Sequence, residues 1–349
     1  MLPRLACWTG RSLSHSLLLP PPTSSTRFIA KCLNKNMGVD NNLLAKPRRR
    51  ANFRLCNVSC YTSEVLEIQS DAPTLHVLFV PGNPGVILFY KDFVEFLYEL
   101  LEGTASVTAI GHVSHSRKNL EHGRMFSLQE QIDHKIDFIR EELENVEIPI
   151  LLVGHSIGSY ISIEMFKKSP EKVKYCIGLY PFLTLNPHST TQLVIGKIAK
   201  SQVLAAALSY LTASLGLLPV QALRFLVRKS LGKSWSANAV EAACSHLSQY
   251  HTMRNVLYMA MTEFRKLSEA PDWIFMRERK AQLAFLFGVD DHWGPLHLLE
   301  EISKHVPGMA TYIERENHTH GFCCTEAGSL WVAQHVVNLI KNQMVCSNQ

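Results

Sequence analysis

The sequence predicts an α/β fold built on a mostly parallel central sheet with helices on both faces. Three observations carry this. Apolar runs of strand length recur along the chain, at Leu75–Val80, Ile148–Val153, Tyr175–Leu179 and Leu283–Phe287, with the Val, Ile, Leu and Phe content of buried strands. Segments with apolar residues at helical spacing lie between most of them, giving the βαβα alternation of a parallel sheet. The Ile148–Val153 run ends in G-H-S-I-G (Gly154–Gly158), which places a Ser at the centre of a strand–turn–helix unit. A chain of 349 residues, 46% hydrophobic and 19% charged, is long enough to bury a full core of this kind.

The charge is unevenly distributed. Ten of the 35 Lys and Arg but only one of the 30 Asp and Glu precede Glu64, so the overall +5 becomes −4 from Glu64 onward. By charge, that body is no nucleic-acid binder. Residues 1–36 lack acids, contain Arg and Ser and include Pro20-Pro21-Pro22. This composition resembles an organelle transit peptide, plastid or mitochondrial. Leu17-Leu18-Leu19 is too short for a secretory core, and Met37 offers an alternative start. Nine cysteines in irregular positions point to reduced thiols and not a disulfide framework. We divide the chain into a basic leader (1–50), a first core segment (51–181), a helical insert (182–281) and a second core segment (282–349).

Taken in order, Phe53–Tyr61 and Val65–Ile68 alternate as a hairpin. Leu75–Val80 is a buried strand that ends in Pro81-Gly82-Asn83-Pro84-Gly85, a turn composition able to present a backbone donor. Tyr90–Leu101 is an amphipathic helix. Strand Val107–Ile110 leads into a loop with His112, His115 and His122, whose spacing fits no zinc pattern; no metal or other cofactor is expected. Ser127–Glu144 reads as a helix with His134 among charged neighbours on its solvent face. The helix after Gly158 runs to Lys168, and strand Tyr175–Leu179 follows.

The alternation then stops for about a hundred residues between Pro181 and Ala281, which read as mostly helical. Within them Ser201–Leu223 is a 23-residue run without a charge, flanked by Lys197, Lys200, Arg224, Arg228 and Lys229. Its length would span a bilayer. Because the strands on either side join one sheet, the chain must leave and return on the same side, and Gly216 and Pro219 bend the run. A paired interfacial helix with basic flanks, binding a membrane or droplet surface, is therefore expected; the alternative is a soluble lid over the site. After the insert come strand Leu283–Phe287, helix Leu296–His305, a strand at Thr311–Glu314, the loop Asn317–Phe322 and a last helix, Glu326–Lys341.

The candidate chemistry follows chain order: Ser156 at the turn, a carboxylate after a late strand, a His after the last strand. This Ser…Asp…His order is that of an α/β-hydrolase fold. A neutral Ser hydroxyl is a weak nucleophile, so a His must take its proton and a carboxylate must orient the imidazole. Gly154 and Gly158 are small where strand and helix must approach. The oxyanion needs two fixed donors: the N–H of Ile157, and that of Asn83, since Pro84 has none. Asp290 competes with Asp291, and His318 with His320. We favour Asp291, three residues beyond Gly288, and His320, followed by Gly321 and Phe322.

Together these residues resemble the lipid droplet-associated hydrolases. The resemblance rests on P-G-N-P-G-x3-F-Y (Pro81–Tyr90), Gln131-Ile132-x-His134-Lys135, G-H-S-I-G-S-Y (Gly154–Tyr160), the Asp291–Pro295 element and the His320-Gly321-Phe322 terminus, and spans roughly Leu75 to Ile340. It implies an α/β-hydrolase fold with nucleophile, acid and base at Ser156, Asp291 and His320. It also implies a serine esterase or lipase acting on a lipid or sterol ester, and an insert that attaches to droplets at the droplet or endoplasmic reticulum surface. The long basic leader departs from the family pattern. The competing expectation from another class is a lipid-surface scaffold with little hydrolase activity.

Overall fold

Eight strands form one sheet, and their apolar content explains where each sits. In the computed structural model, which describes residues 49–231 and 234–347, these are β1 (Asn52–Val58), β2 (Tyr61–Ile68), β3 (Leu75–Val80), β4 (Ala105–Ile110), β5 (Ile150–His155), β6 (Val173–Leu179), β7 (Leu283–Gly288) and β8 (Ala310–Glu314). Their order is β1-β2-β4-β3-β5-β6-β7-β8. The β1–β2 hairpin is antiparallel, with Asn52 opposite Glu67 and Val58 opposite Tyr61, and β2 pairs antiparallel to β4. The remaining pairs are parallel. Every residue of β3, β4, β5 and β7 is buried, as parallel strands covered on both faces require.

Alternation along β3 divides the core in two. Val77 and Phe79 face a layer built with α1 (Lys91–Leu100) and α11 (Glu326–Ser347), through Phe93, Leu97, Val332 and Val336. Leu78 and Val80 face the opposite layer, built with α2 (Leu128–Glu142), α3 (Ile157–Lys168) and α10 (Leu296–His305), through Ile132, Ile161 and Ile302. The α2 N-terminus is closed by a capping box: Ser127 Oγ accepts from Glu130 N–H, and the Glu130 carboxylate accepts from Ser127 N–H, satisfying donors a helix start leaves open.

The expectation that His134 faces solvent is overturned. It is 3% exposed, and its neighbour Lys135 is fully buried. The charged residues around it had indicated a wet face, but α2 is covered by β1, by α3 and by a helix of the insert. Lys135 Nζ donates to Gly111 O at 2.9 Å and to Gln131 Oε1 at 3.0 Å, and burial holds its ammonium form well below the usual lysine range.

Between β6 and β7 lie α4 (Thr190–Lys200), α5 (Gln202–Leu215), α6 (Val220–Leu231), α7 (Ala237–Ala242), α8 (Tyr250–Lys266) and α9 (Trp273–Glu278). The uncharged run is two helices. Ser201 caps α5 by accepting from Leu204 N–H, and residues 216–219 separate α5 from α6. Among the described residues, no helix is long and apolar enough to cross a membrane. The leader expectation falls on residues that are nearly all outside those described.

Candidate active site

The turn after β5 holds Ser156 in a conformation that few side chains tolerate. Its φ is +56° and ψ −123°, a region that costs a residue with a Cβ about 1–3 kcal/mol and persists only where its surroundings enforce it. Here they do. Ser156 N–H donates to Leu179 O at 2.9 Å, Ser156 O accepts from Phe182 N–H at 3.1 Å, and Ser159 Oγ donates to Gly154 O at 2.9 Å.

The two glycines of the turn are required by contact. A Cβ on Gly154 would lie 2.2 Å from Gly158 O, and one on Gly158 would lie 2.3 Å from Val80 O and 2.5 Å from Pro81 O. These are backbone atoms, so no rotamer change relieves the overlap. Gly158→Ala is expected to destabilise the protein by about 3 kcal/mol, read as a lower urea midpoint at unchanged m-value.

The loop after β3 closes on this turn. A Cβ on Gly82 would lie 3.0 Å from Ser156 Cβ, so the Gly82 backbone, one residue before Asn83, sits directly against the Ser. Among the described residues, no acceptor takes the Asn83 N–H. Ile157 N–H opens α3, where no preceding turn supplies an acceptor.

The loops after β7 and β8 bring Asp291 and His320 together. His320 Nδ1 donates to Asp291 Oδ2 at 2.9 Å, and Trp293 N–H donates to Asp291 Oδ1 at 2.8 Å. Both carboxylate oxygens are thus engaged, and the Asp291 side chain is 1% exposed. With Nδ1 committed as a donor, neutral His320 presents Nε2 as its acceptor. Its ring lies 4.9 Å from the ring of His155, the residue before Ser156. Asp290 is exposed, and His318 lies against Trp331, 5.7 Å between ring centres. A cleft of about 170 Å³ is lined by Asp290, Asp291, Trp293, Glu314, His318 and His320. Ser156 is not in its wall, so it is not where an acyl group would meet the Ser.

Sequence reasoning missed a buried chain of hydrogen bonds joining these loops. Gly82 N–H donates to Tyr90 Oη at 3.1 Å, Tyr90 Oη contacts His155 Nδ1 at 2.7 Å, and His155 Nε2 contacts His320 O at 2.9 Å. A carbonyl only accepts, so Nε2 carries the proton, and Nδ1 accepts from the Tyr90 hydroxyl. Burial, then the nearby His320, push His155 well below the ordinary histidine range; the ring stays neutral, as this tautomer requires. Reasoning from sequence also missed Glu263, whose Oε1 accepts from Asn83 Nδ2 at 2.9 Å. The available signal was a stripe on α8: Thr252, Asn255, Met259 and Glu263 recur at helical spacing and are all buried. Among the described residues, no group of three or more His, Cys, Asp or Glu could hold a metal ion; of the three loop histidines, His112 and His115 are buried and His122 is exposed.

The epoxide hydrolase of Vigna radiata superposes with a TM-score of 0.61 at 15% identity, covering 84% of this chain and 99% of its own. At that identity the likeness shows the α/β-hydrolase fold alone. The lipid droplet-associated hydrolase of Dictyostelium discoideum is 27% identical over 300 residues, covering 80% of this chain and 94% of its own. That of Gallus gallus is 28% identical over 266 residues, covering 72% and 80%. The model of the lipid-droplet associated hydrolase family matches residues 73–323, most of the chain and every site residue described above. This chain belongs to the lipid droplet-associated hydrolase family.

Proposed function

We propose that the protein is a serine hydrolase of the esterase or lipase type that cleaves a lipid or sterol ester through Ser156, His320 and Asp291. The observation that carries this reading is the pairing of His320 Nδ1 with a sealed Asp291 carboxylate, with the His320 ring 4.9 Å from that of His155, the residue before a Ser held at positive φ at the head of a helix. His320 Nε2 takes the Ser156 proton as Oγ attacks the ester carbonyl. The oxyanion is met by the N–H groups of Ile157 and Asn83 and by the N-terminal end of α3. His320 gives its proton to the leaving alcohol as the C–O bond breaks, leaving an acyl-Ser156. Water, deprotonated by the same His, attacks this ester and releases the acid. Asp291 keeps Nδ1 protonated and stabilises the imidazolium. The test is turnover of a p-nitrophenyl ester by wild type and Ser156→Ala: kcat is expected to fall at least about 10³-fold, and equal turnover would remove the reading.

The insert supports a lipid surface as the place where this occurs. Val203, Leu204, Tyr210, Leu217, Val220 and Phe225 are exposed on or between α5 and α6, with Lys197, Lys200, Arg224, Arg228 and Lys229 near them in sequence. An apolar ridge with basic flanks suits the interface of a droplet or a membrane leaflet. If Val203 and Leu217 each contribute about 1.5 kcal/mol when buried in lipid, Val203→Asp with Leu217→Asp lowers binding to lipid emulsion on the order of 100-fold. Flotation on a density gradient reads this directly. The same ridge would serve a scaffold with little hydrolase activity; for that reading, Ser156→Ala changes nothing measurable while the ridge variant loses the surface.

A further inference from the structure

The contact between the insert and the loop after β3 goes beyond covering the site. Asn83 Nδ2 has two hydrogens and both are used, one on Val256 O at 3.0 Å and one on Glu263 Oε1 at 2.9 Å. Val256 and Glu263 lie on α8, 173 and 180 residues further along the chain than Asn83.

Helix α8 is itself fixed to the core by polar contacts. Thr252 Oγ1 donates to Ser116 O at 2.8 Å, Asn255 Oδ1 accepts from Phe126 N–H at 2.9 Å, and Thr262 Oγ1 accepts from Leu128 N–H at 2.9 Å. Met259 joins the hydrophobic layer shared by α2 and α3. A cover that only excluded water would have no need to be bonded to the core at so many points.

Glu263 is 3% exposed, and burial raises its carboxyl to about 8, with the Asn83 hydrogen bond acting the other way. That direction favours the uncharged carboxyl, which still accepts through its carbonyl oxygen. It can grip the Asn83 amide without placing a negative charge beside a developing oxyanion.

We propose that Glu263 and the Val256 carbonyl hold the Asn83 side chain so that the Asn83 backbone N–H stays aimed at the oxyanion, which makes insert helix α8 a positioning element of the active site. This rests on the serine hydrolase reading above. Glu263 and Val256 act through Asn83 and touch no reacting atom; they are positioning groups.

The test uses the full chain with p-nitrophenyl butyrate at pH 7, comparing wild type, Glu263→Met, Glu263→Gln and Asn83→Ala, each checked for a cooperative melt. Glu263→Met removes the acceptor while keeping bulk, and Asn83→Ala removes the gripped amide while keeping the backbone N–H. Both are expected to lower kcat about 100-fold with KM within about threefold, the signature of a misplaced transition-state donor. Glu263→Gln, which retains an acceptor oxygen, is expected to recover most of the loss. The double variant should be about as slow as either single one, since both break one link. A purely structural role would lower the melting temperature and leave kcat of the folded protein unchanged. If Glu263→Met does not fold, Asn83→Ala decides. Wild-type kcat in Asn83→Ala overturns the clamp and leaves the hydrolase reading standing. A wild type with no Ser156-dependent turnover removes both.

Discussion

Asp291→Asn is expected to lower kcat on a short-chain ester about 10⁴-fold, while Asp290→Asn stays within about twofold of wild type. The two side chains are adjacent in sequence and opposite in environment. Asp291 is sealed, with one oxygen on His320 Nδ1 and the other on Trp293 N–H; Asp290 is exposed. In Asp291→Asn the amide still fits between the same partners but can turn its NH₂ toward His320. Nδ1 then becomes an acceptor, Nε2 carries the proton, and the imidazole cannot take one from Ser156. Catalysis falls through the tautomer with the fold intact, so the melting temperature should change little. A large loss in Asp290→Asn with none in Asp291→Asn would move the acid to the other residue.

The fold should weaken as pH falls below neutrality. His76, His112, His115, His134 and His155 are all buried. Burial lowers His76 to about 4 and His115 and His134 to about 3, and holds His112 and His155 well below the ordinary value. These rings stay neutral in the native state while the unfolded chain protonates near 6.5, so the unfolded state binds more protons below that pH. Stability is therefore complete above about 6.5 and is lost as pH falls toward the native values. All five rings therefore act in the same direction, each weakening the fold as pH falls below about 6.5. Glu263 has the opposite sign. Its native value near 8 lies above its unfolded value, so it strengthens the fold as pH drops from 8 toward 4.5. Five rings against one carboxyl leave a net loss, so the urea midpoint is expected to be lower at pH 5.5 than at pH 7.0. Urea melts at pH 7.0 and 5.5 read it; equal midpoints would mean that the five rings are protonated in the native state.

What the sequence made legible tracks how local each signal was. Leu75–Val80 and Leu296–His305 fall where the structure has β3 and α10, because an apolar run and a helical stripe are written into consecutive residues. The Gly154–Gly158 turn was legible for the same reason, with spacing and flanking elements all within a few residues. The Asp and His positions followed only as pairs of alternatives. Choosing within each pair depends on which side of a loop points inward, and that is decided by Trp293 N–H and Trp331, contacts that no spacing rule encodes. The burial of His134 and Lys135 was illegible because their neighbours on α2 are charged, whereas the elements covering the helix come from β1, α3 and α8. Glu263 was hidden in a similar way. A Glu on an amphipathic helix reads as solvent-facing, and only its Asn83 partner, 180 residues away in sequence, explains why it is inside.

The most direct test of the central claim is covalent labelling of the full chain with a fluorophosphonate, followed by peptide mass spectrometry, beside Ser156→Ala. One adduct is expected, on Ser156, faster in the presence of lipid emulsion and absent from the variant. An adduct on a different residue, or a folded protein that takes no label with or without emulsion, would contradict the assignment of Ser156 as nucleophile and leave the lipid-surface scaffold as the better description.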